Sequence, residues 1–452
     1  MKMRCVSLIL LLPLFSVVAT ETRNSDRNGF AGYKVYAVRA ISKVHNDILT
    51  LLYNTYLDSE EVQFWGEPGE EGFWLRSAPL LLMVSPAQDQ HIRNLFTNAE
   101  IPFEVTIQDV AEAMRMELPV LAESVSRDDS FKQTSMTWTA YHPYATIERF
   151  AQEIARLYPN FAQISTIGRS YEGRTMYLLK VGKPRADGKV KPVIWIDSQI
   201  HAREWVTSAV LTYFVNFLVS EYDTNSMARR MMEEIDWYFV PVVNPDGFDF
   251  THTSANNRMW RRTRRVNPFS QCLGADPNRN MDQYWMVAGA TQNPCQDTYA
   301  GAFPYSEVEN LHVTEAILEH RQKVKAFIGV HSFSQVWLVP WGHNNSYPKD
   351  IADMRRMGEQ AIASLKKRYN TQYTFGNPQA TLGSPGAGGT MDWTYAKAGI
   401  KYSQSLELRD KGQFGFILPA NQIIPTALET IDSINEVAKI VYDEYPPTTA
   451  TS

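Results

Sequence analysis

The chain has 452 residues, 44% of them hydrophobic and 21% charged, which is ordinary for a globular protein with a real core and suggests about three domains, or two with one large. A net charge of −5 argues against nucleic acid as a partner and lends no support to a basic membrane-binding surface. Nothing in the composition indicates disorder, and no internal repeat is visible.

The N-terminus reads as a processing segment. Lys2 and Arg4 precede an apolar stretch from Val6 to Val18, and polar sequence follows Ala19. That is the pattern of a secretory signal cut near Ala19. A membrane anchor is the alternative, but the stretch is short against the ~20 apolar residues of a span. Cys5 leaves with the signal, so Cys272 and Cys295 remain. An even count in a secreted chain reads as one disulfide, worth about 3 kcal/mol in the chain-entropy model; two buried free thiols are the alternative. Asn344-Asn345-Ser346 is the chain's one glycosylation acceptor pattern.

Residues 30 to about 118 read as a small separate unit. Gly32–Val38 alternates as a strand, Ser42–Leu57 is predicted helical, and Val62–Trp65 and Pro79–Val84 are predicted strands. Ser85 and Pro86 fit a helix start, with the helix running through Ala99. Phe103–Ile107 closes the unit as a strand. The order βαββαβ is the ferredoxin-like pattern. Residues 119–135 are polar and read as an exposed linker.

From Tyr141 to Tyr445 strands and helices alternate. Helical periodicity covers Ile147–Leu157, Trp205–Glu221, Ser306–Lys323, Ala352–Arg368 and Ile424–Tyr442. Strand patterns cover Gln163–Ile167, Thr175–Val181, Val193–Asp197, Trp237–Val240, Ala326–Val330, Val336–Val339 and Tyr402–Leu408. The expected architecture is α/β, a mixed and mostly parallel sheet flanked by helices, beside a small α+β ferredoxin-like domain.

Chemistry in such folds gathers at the carboxyl ends of strands. His201-Ala202-Arg203-Glu204 follows one buried strand and His331 ends another. Two imidazoles and a carboxylate suit zinc and leave a fourth position for water, which makes the chain a candidate hydrolase. The alternative readings are a structural polar turn and a core histidine satisfied by backbone groups. His312 and Glu315 have the same spacing inside an amphipathic stretch, where such a pair is an ordinary solvated helix face. Asp276 is a candidate partner for the second nitrogen of a metal-bound histidine. Glu407, within an apolar strand, needs a partner or a task. It reads as a general base, or as half of a buried ion pair with Arg409 or another arginine. Arginines in Met259–Arg265 and in Asn278-Arg279-Asn280 could clamp a carboxylate and stabilise an oxyanion.

These residues resemble a known family. His201–Trp205, Asn244–Gly247, Trp260–Arg264, Asp276–Asn280, Ala326–His331 and Leu406–Asp410 are similar to motifs of the zinc metallocarboxypeptidases of the carboxypeptidase A/B type. The likeness spans about residues 137–443. It implies one zinc per chain on His201, Glu204 and His331, with Glu407 as general base and Arg261 as oxyanion stabiliser. It implies Asn278 and Arg279 as the clamp for the substrate's terminal carboxylate, with Arg203 nearby, and a Cys272–Cys295 disulfide. The N-terminal unit matches the family's inhibitory pro-segment. The implied layout is a signal over 1–19, pro-segment and activation linker over 20–132, and a catalytic domain over 133–446. The partners are peptide or protein C-termini as substrate and an activating endoprotease cutting after Arg127 or Lys132, with no nucleic acid and no membrane. The implied location is secreted and extracellular. Met391 stands where B-type enzymes carry an aspartate, so apolar or aromatic terminal residues are expected. Specificity for Lys or Arg is the alternative, and a non-catalytic binding protein of this fold is another. Two positions depart from the family. Ser384 is the nearest match to its mobile tyrosine, and Met281 replaces a usual aromatic. The five glycines between Gly376 and Gly389 predict a mobile loop.

Overall fold

Two sheets organise the described residues of this computed structural model, which are 29–57, 59–66, 79–117 and 134–449. The signal stretch 1–19 and the cleavage candidates Arg127 and Lys132 lie outside them.

The N-terminal unit runs β1 (Lys34–Val38), α1 (Lys43–Thr55), β2 (Val62–Phe64), β3 (Leu80–Val84), α2 (Asp89–Asn98), β4 (Phe103–Ile107) and α3 (Val110–Arg115). Its strands pair antiparallel in the order β2-β3-β1-β4, as the ferredoxin-like reading predicts. Ser42 caps α1 by accepting from the His45 N–H. The second helix starts later than the sequence suggests. Ser85 Oγ accepts from the Gln88 N–H, so residues 85–88 form a turn ahead of α2. The all-apolar run of β3 has a simple cause: both faces are covered. Leu82 and Val84 pack with Tyr36, Leu49, Ile92 and Phe96 under the helices. Leu81 and Met83 pack with Val35, Ala37 and Trp65 against Met259, Phe416 and Ile417 of the larger domain.

The larger domain contains α4 (Tyr144–Leu157), β5 (Ala162–Arg169), β6 (Thr175–Val181), β7 (Val193–Ser198), α5 (Trp205–Ser220), α6 (Ser226–Glu234), β8 (Asp236–Val240) and α7 (Pro245–Thr251). It continues with α8 (Val308–His320), β9 (Val324–His331), β10 (Val336–Leu338), α9 (Ile351–Tyr369), β11 (Thr374–Gly376), α10 (Pro378–Leu382), α11 (Thr390–Ala396), β12 (Tyr402–Glu407) and α12 (Ile423–Glu444). The sheet order is β11-β10-β12-β9-β7-β8-β6-β5, with β12, β9, β7 and β8 mutually parallel at its centre. Strands covered on both faces are continuously apolar. Ile194 and Ile196 of β7 point into the core shared with α4, α5 and α12, whereas Val193 and Trp195 point into the core under α8. No helix among the described residues is long and apolar enough to cross a membrane.

Candidate metal centre

The parallel centre of the sheet delivers the site. β7 ends at Ser198, and His201 follows in the turn that leads into α5, whose N-terminal flank is Glu204. β9 ends on His331, and β12 ends on Glu407, which pairs with His331 in register. Three neighbouring strand ends therefore converge. His201, Glu204 and His331 are all buried, and their donor atoms lie within 4.8 Å of one another. His201 Nδ1 is 2.6 Å from Glu204 Oε1, and His331 Nδ1 is 3.3 Å from Glu204 Oε2. Burial disfavours a charged His331, but the hydrogen bond and charge of Glu204 outweigh it and raise the imidazole's pKa. The cluster thus favours positive charge. Two imidazoles and one carboxylate fit zinc better than calcium or magnesium, which prefer all-oxygen shells.

Asp276 takes the position the sequence suggests for it. It is fully buried, and Oδ1 lies 3.2 Å from His201 Nε2. Oδ2 accepts from Arg261 Nε and NH2 at 3.1 and 2.7 Å. Burial would raise this carboxyl, yet Arg261, His201 and Arg279 together hold it well below the usual carboxylate range. Asp276 therefore fixes one imidazole and one guanidinium at once. Glu407 is not in an ion pair with Arg409, which bonds Glu429 instead. Burial pushes Glu407 up to about 8 in the protein alone, with His331 and Arg261 opposing and Glu204 assisting. A dication on the adjacent ligands would draw it back down. Its Oε2 is buried with no hydrogen-bond partner among the described residues.

A cleft of about 1030 Å³ gathers His201, Glu204, Arg261, His331 and Glu407 with Arg203, Asn278, Arg279, Ser384 and Met391. Arg279 is steered by carbonyls, donating from Nε to Gly289 at 2.6 Å and from NH1 to Asn278 at 3.1 Å. Asn278 Oδ1 accepts from the Thr390 N–H, which leaves its NH₂ as the group able to donate to a ligand. Arg203 lies in the same cleft, but its guanidinium bonds Asp297 at 2.9 Å and stacks over Phe416 at 4.3 Å. Met391 packs with Val336, Leu338 and Leu382 as an apolar wall. Asp392, one residue on, accepts from the Gly342 N–H at 2.9 Å with both oxygens. Cys272 and Cys295, also at the cleft, are disulfide-bonded.

Within residues 376–389, for which the sequence predicts a mobile loop, both ends are tied by hydrogen bonds. Asn377 caps α10, and the following turn is tied on three sides. Gly386 N–H donates to Gly342, Ala387 N–H to Ala288 and Gly388 N–H to Gln283. The glycines serve close packing: a Cβ on Gly386 would sit 3.1 Å from the Arg279 guanidinium carbon. Met281 fills the core beneath, and its N–H donates to Gly388.

The sequence reading missed how the N-terminal unit grips the cleft. Trp65 packs against Phe416 in a tilted arrangement, with ring centroids 5.4 Å apart and 54° between the planes. Gly415 makes room for it. Its φ is +59°, and a Cβ there would meet Trp65 at 2.8 Å. Glu117 forms a fully buried bidentate pair with Arg258, whose Nε donates to Oε2 at 2.9 Å and NH2 to Oε1 at 2.5 Å. Arg258 also donates to the carbonyls of Arg203 and Phe416 and lies over Trp205. No spacing rule joins residues so far apart, although each is a charge beside an apolar run.

The zinc carboxypeptidase family profile matches residues 147–433, and the carboxypeptidase activation peptide profile matches residues 38–117. A carboxypeptidase B of Astacus astacus is 42% identical over 311 residues, which is 69% of this chain and 100% of that protein. A carboxypeptidase A1 of Sus scrofa is 37% identical over 374 residues, 83% of this chain and 86% of its own. The crystal structure of thrombin activatable fibrinolysis inhibitor superposes with a TM-score of 0.81 at 29% identity, over 92% of this chain and 100% of that one.

Proposed function

This chain belongs to the zinc carboxypeptidase family, as a zymogen with its activation peptide, and we propose that the cut enzyme releases apolar or aromatic residues from peptide C-termini. The observation that carries the preference is the Met391 wall. A cationic terminal side chain against it would be desolvated without a partner. Asp392 is the only argument from this pocket for the Lys/Arg alternative, and its carboxylate is already bonded to Gly342. After activation, kcat/KM should be higher for peptides ending in Phe or Leu than for those ending in Lys. Faster release of Lys would overturn the preference.

His201, Glu204 and His331 would hold the zinc, which when bound would supply Lewis acidity toward a carbonyl oxygen and a water. The remaining work falls to side chains. Arg279 and the Asn278 amide bind the terminal carboxylate, which sets the scissile bond in the cleft that Glu407 and Arg261 also line. Arg261 donates to the developing oxyanion from an orientation fixed by Asp276. Glu407 takes the proton from the attacking water at its free carboxylate oxygen and delivers it to the leaving amine nitrogen. Arg203 lines the same cleft, with its guanidinium bonded to Asp297 and over the Phe416 ring.

The same reading assigns residues 1–19 to a secretory signal, 20–132 to pro-segment and linker, and 133–446 to the catalytic domain, in a secreted protein. Trp65 and the Glu117–Arg258 pair hold the pro-segment over the cleft. A protease cut after Arg127 or Lys132 then frees it.

A further inference from the structure

The Asn344-Asn345-Ser346 sequence has no part in the chemistry above, and its surroundings suit a different event. We propose that Asn344 carries an N-linked oligosaccharide. The sequence is unique in the chain as an Asn-x-Ser/Thr pattern, and its middle residue is not proline. All three residues are exposed, in the loop between β10 and α9.

The loop is ordered by its own hydrogen bonds. The Ser346 N–H and hydroxyl both donate to Asn344 Oδ1, at 2.8 and 2.6 Å. Asn377 Nδ2 donates to the carbonyls of Asn344 and Ser346 at 3.4 and 3.1 Å. The amide oxygen of Asn344 is thereby committed to its own turn. Its nitrogen makes one bond, to His343 Nε2 at 2.8 Å. A primary amide carries two N–H bonds, so one can serve His343 while the other is replaced. Asn344 is not among the residues lining the cleft, so a bulky substituent there leaves the substrate path open.

The donor is an oligosaccharide linked to a lipid diphosphate. The amide nitrogen attacks the anomeric carbon, the bond from that carbon to the diphosphate oxygen breaks, and the lipid diphosphate leaves with the electron pair. The amide proton passes to a base of the transferase. Atoms and charge balance, and the product is a secondary amide that keeps one N–H.

This inference rests on the secretory reading, because that donor is met in the secretory lumen. The test separates the two. The full chain is expressed in eukaryotic secretory cells with its own leader and, in parallel, with a heterologous cleavable leader. Protein secreted behind the heterologous leader should shift to lower mass on enzymatic release of N-glycans, with Asn344 converted to Asp. Ser346→Ala, which leaves Asn344 in place, should run unshifted before and after digestion. Failure of the native leader alone would count against the secretory reading and leave the glycan result standing. Secreted protein whose intact mass equals that of the bare polypeptide would overturn the proposal. So would a digestion-sensitive shift that persists in Ser346→Ala.

Discussion

His201 and Glu204 stand three residues apart in the chain, and so do His312 and Glu315. The first pair is buried, with 2.6 Å between Nδ1 and Oε1. The second is 3.7 Å apart on α8, with 63% of the Glu315 side chain exposed. Both members of the second pair are helical. In the first, Glu204 sits at the helix entrance with φ −87° and ψ 59°, and the chain between the two is a turn. The spacing alone therefore does not gather a candidate metal site. A strand end does, because it fixes the turn beside His331, the last residue of the neighbouring strand.

The sharpest way to break this comparison is to remove one histidine from each pair. His201→Ala should lose both bound zinc and peptidase activity, while His312→Ala keeps both. Zinc analysis and a peptide assay on the two variants decide it; full zinc occupancy in His201→Ala would end the assignment.

Glu407→Gln asks whether a strand-end carboxylate that is not a ligand does the proton work. The variant should keep zinc and lose activity by ~10²–10⁴-fold or more. Near-normal turnover in the zinc-loaded variant would refute that role.

A third kind of charged pair extends the series. Glu117–Arg258 is buried like the first pair but joins two domains. Truncating one partner of a buried pair costs about 3–5 kcal/mol. Glu117→Gln should therefore loosen the grip and raise peptidase activity of the uncut protein by tenfold or more, since a decade needs only about 1.4 kcal/mol. An uncut variant as silent as the uncut wild type would show that this pair does not hold the zymogen shut.

The smallest effect concerns the cleft wall. Ser384→Tyr restores one phenolic hydrogen bond to the substrate, worth about 1 kcal/mol, and should chiefly lower KM. A large rise in kcat at constant KM would mean that the missing group bears on the chemical step.

What the sequence disclosed follows the same logic. Val193–Asp197 and Ala326–Val330 are apolar runs followed by polar residues, and Tyr402–Leu408 is a strand-like run that carries Glu407, so these strands and the nearby His201, Glu204, His331 and Glu407 were legible together. Asp276 was raised as a candidate because a metal-bound histidine usually donates its second nitrogen to a carboxylate, and it does lie 3.2 Å from His201 Nε2. The short elements α6, α7, α11 and β11 were not, since few residues carry little periodicity, whereas β2 and β10, as short as β11, stood out as mostly apolar runs. The tethering of the loop after Gly376 was not legible, because glycine content records freedom in the unfolded chain. It does not reveal the three hydrogen bonds from Gly386, Ala387 and Gly388 that remove that freedom in the fold. Glu117 and Arg258 were invisible as a pair, because only docking of one domain on the other brings them together.

The pairing of Glu407 with His331 across β12 and β9 bears on how this chemistry can be edited or transplanted. Side chains alternate along a strand, so deleting one residue within β12 would swap Glu407 for a leucine at the cleft and turn the carboxylate into the core. The loops beyond both strands face no such parity constraint. A graft of this centre onto another parallel sheet would therefore have to copy a phase relation between two strands before it copied any loop.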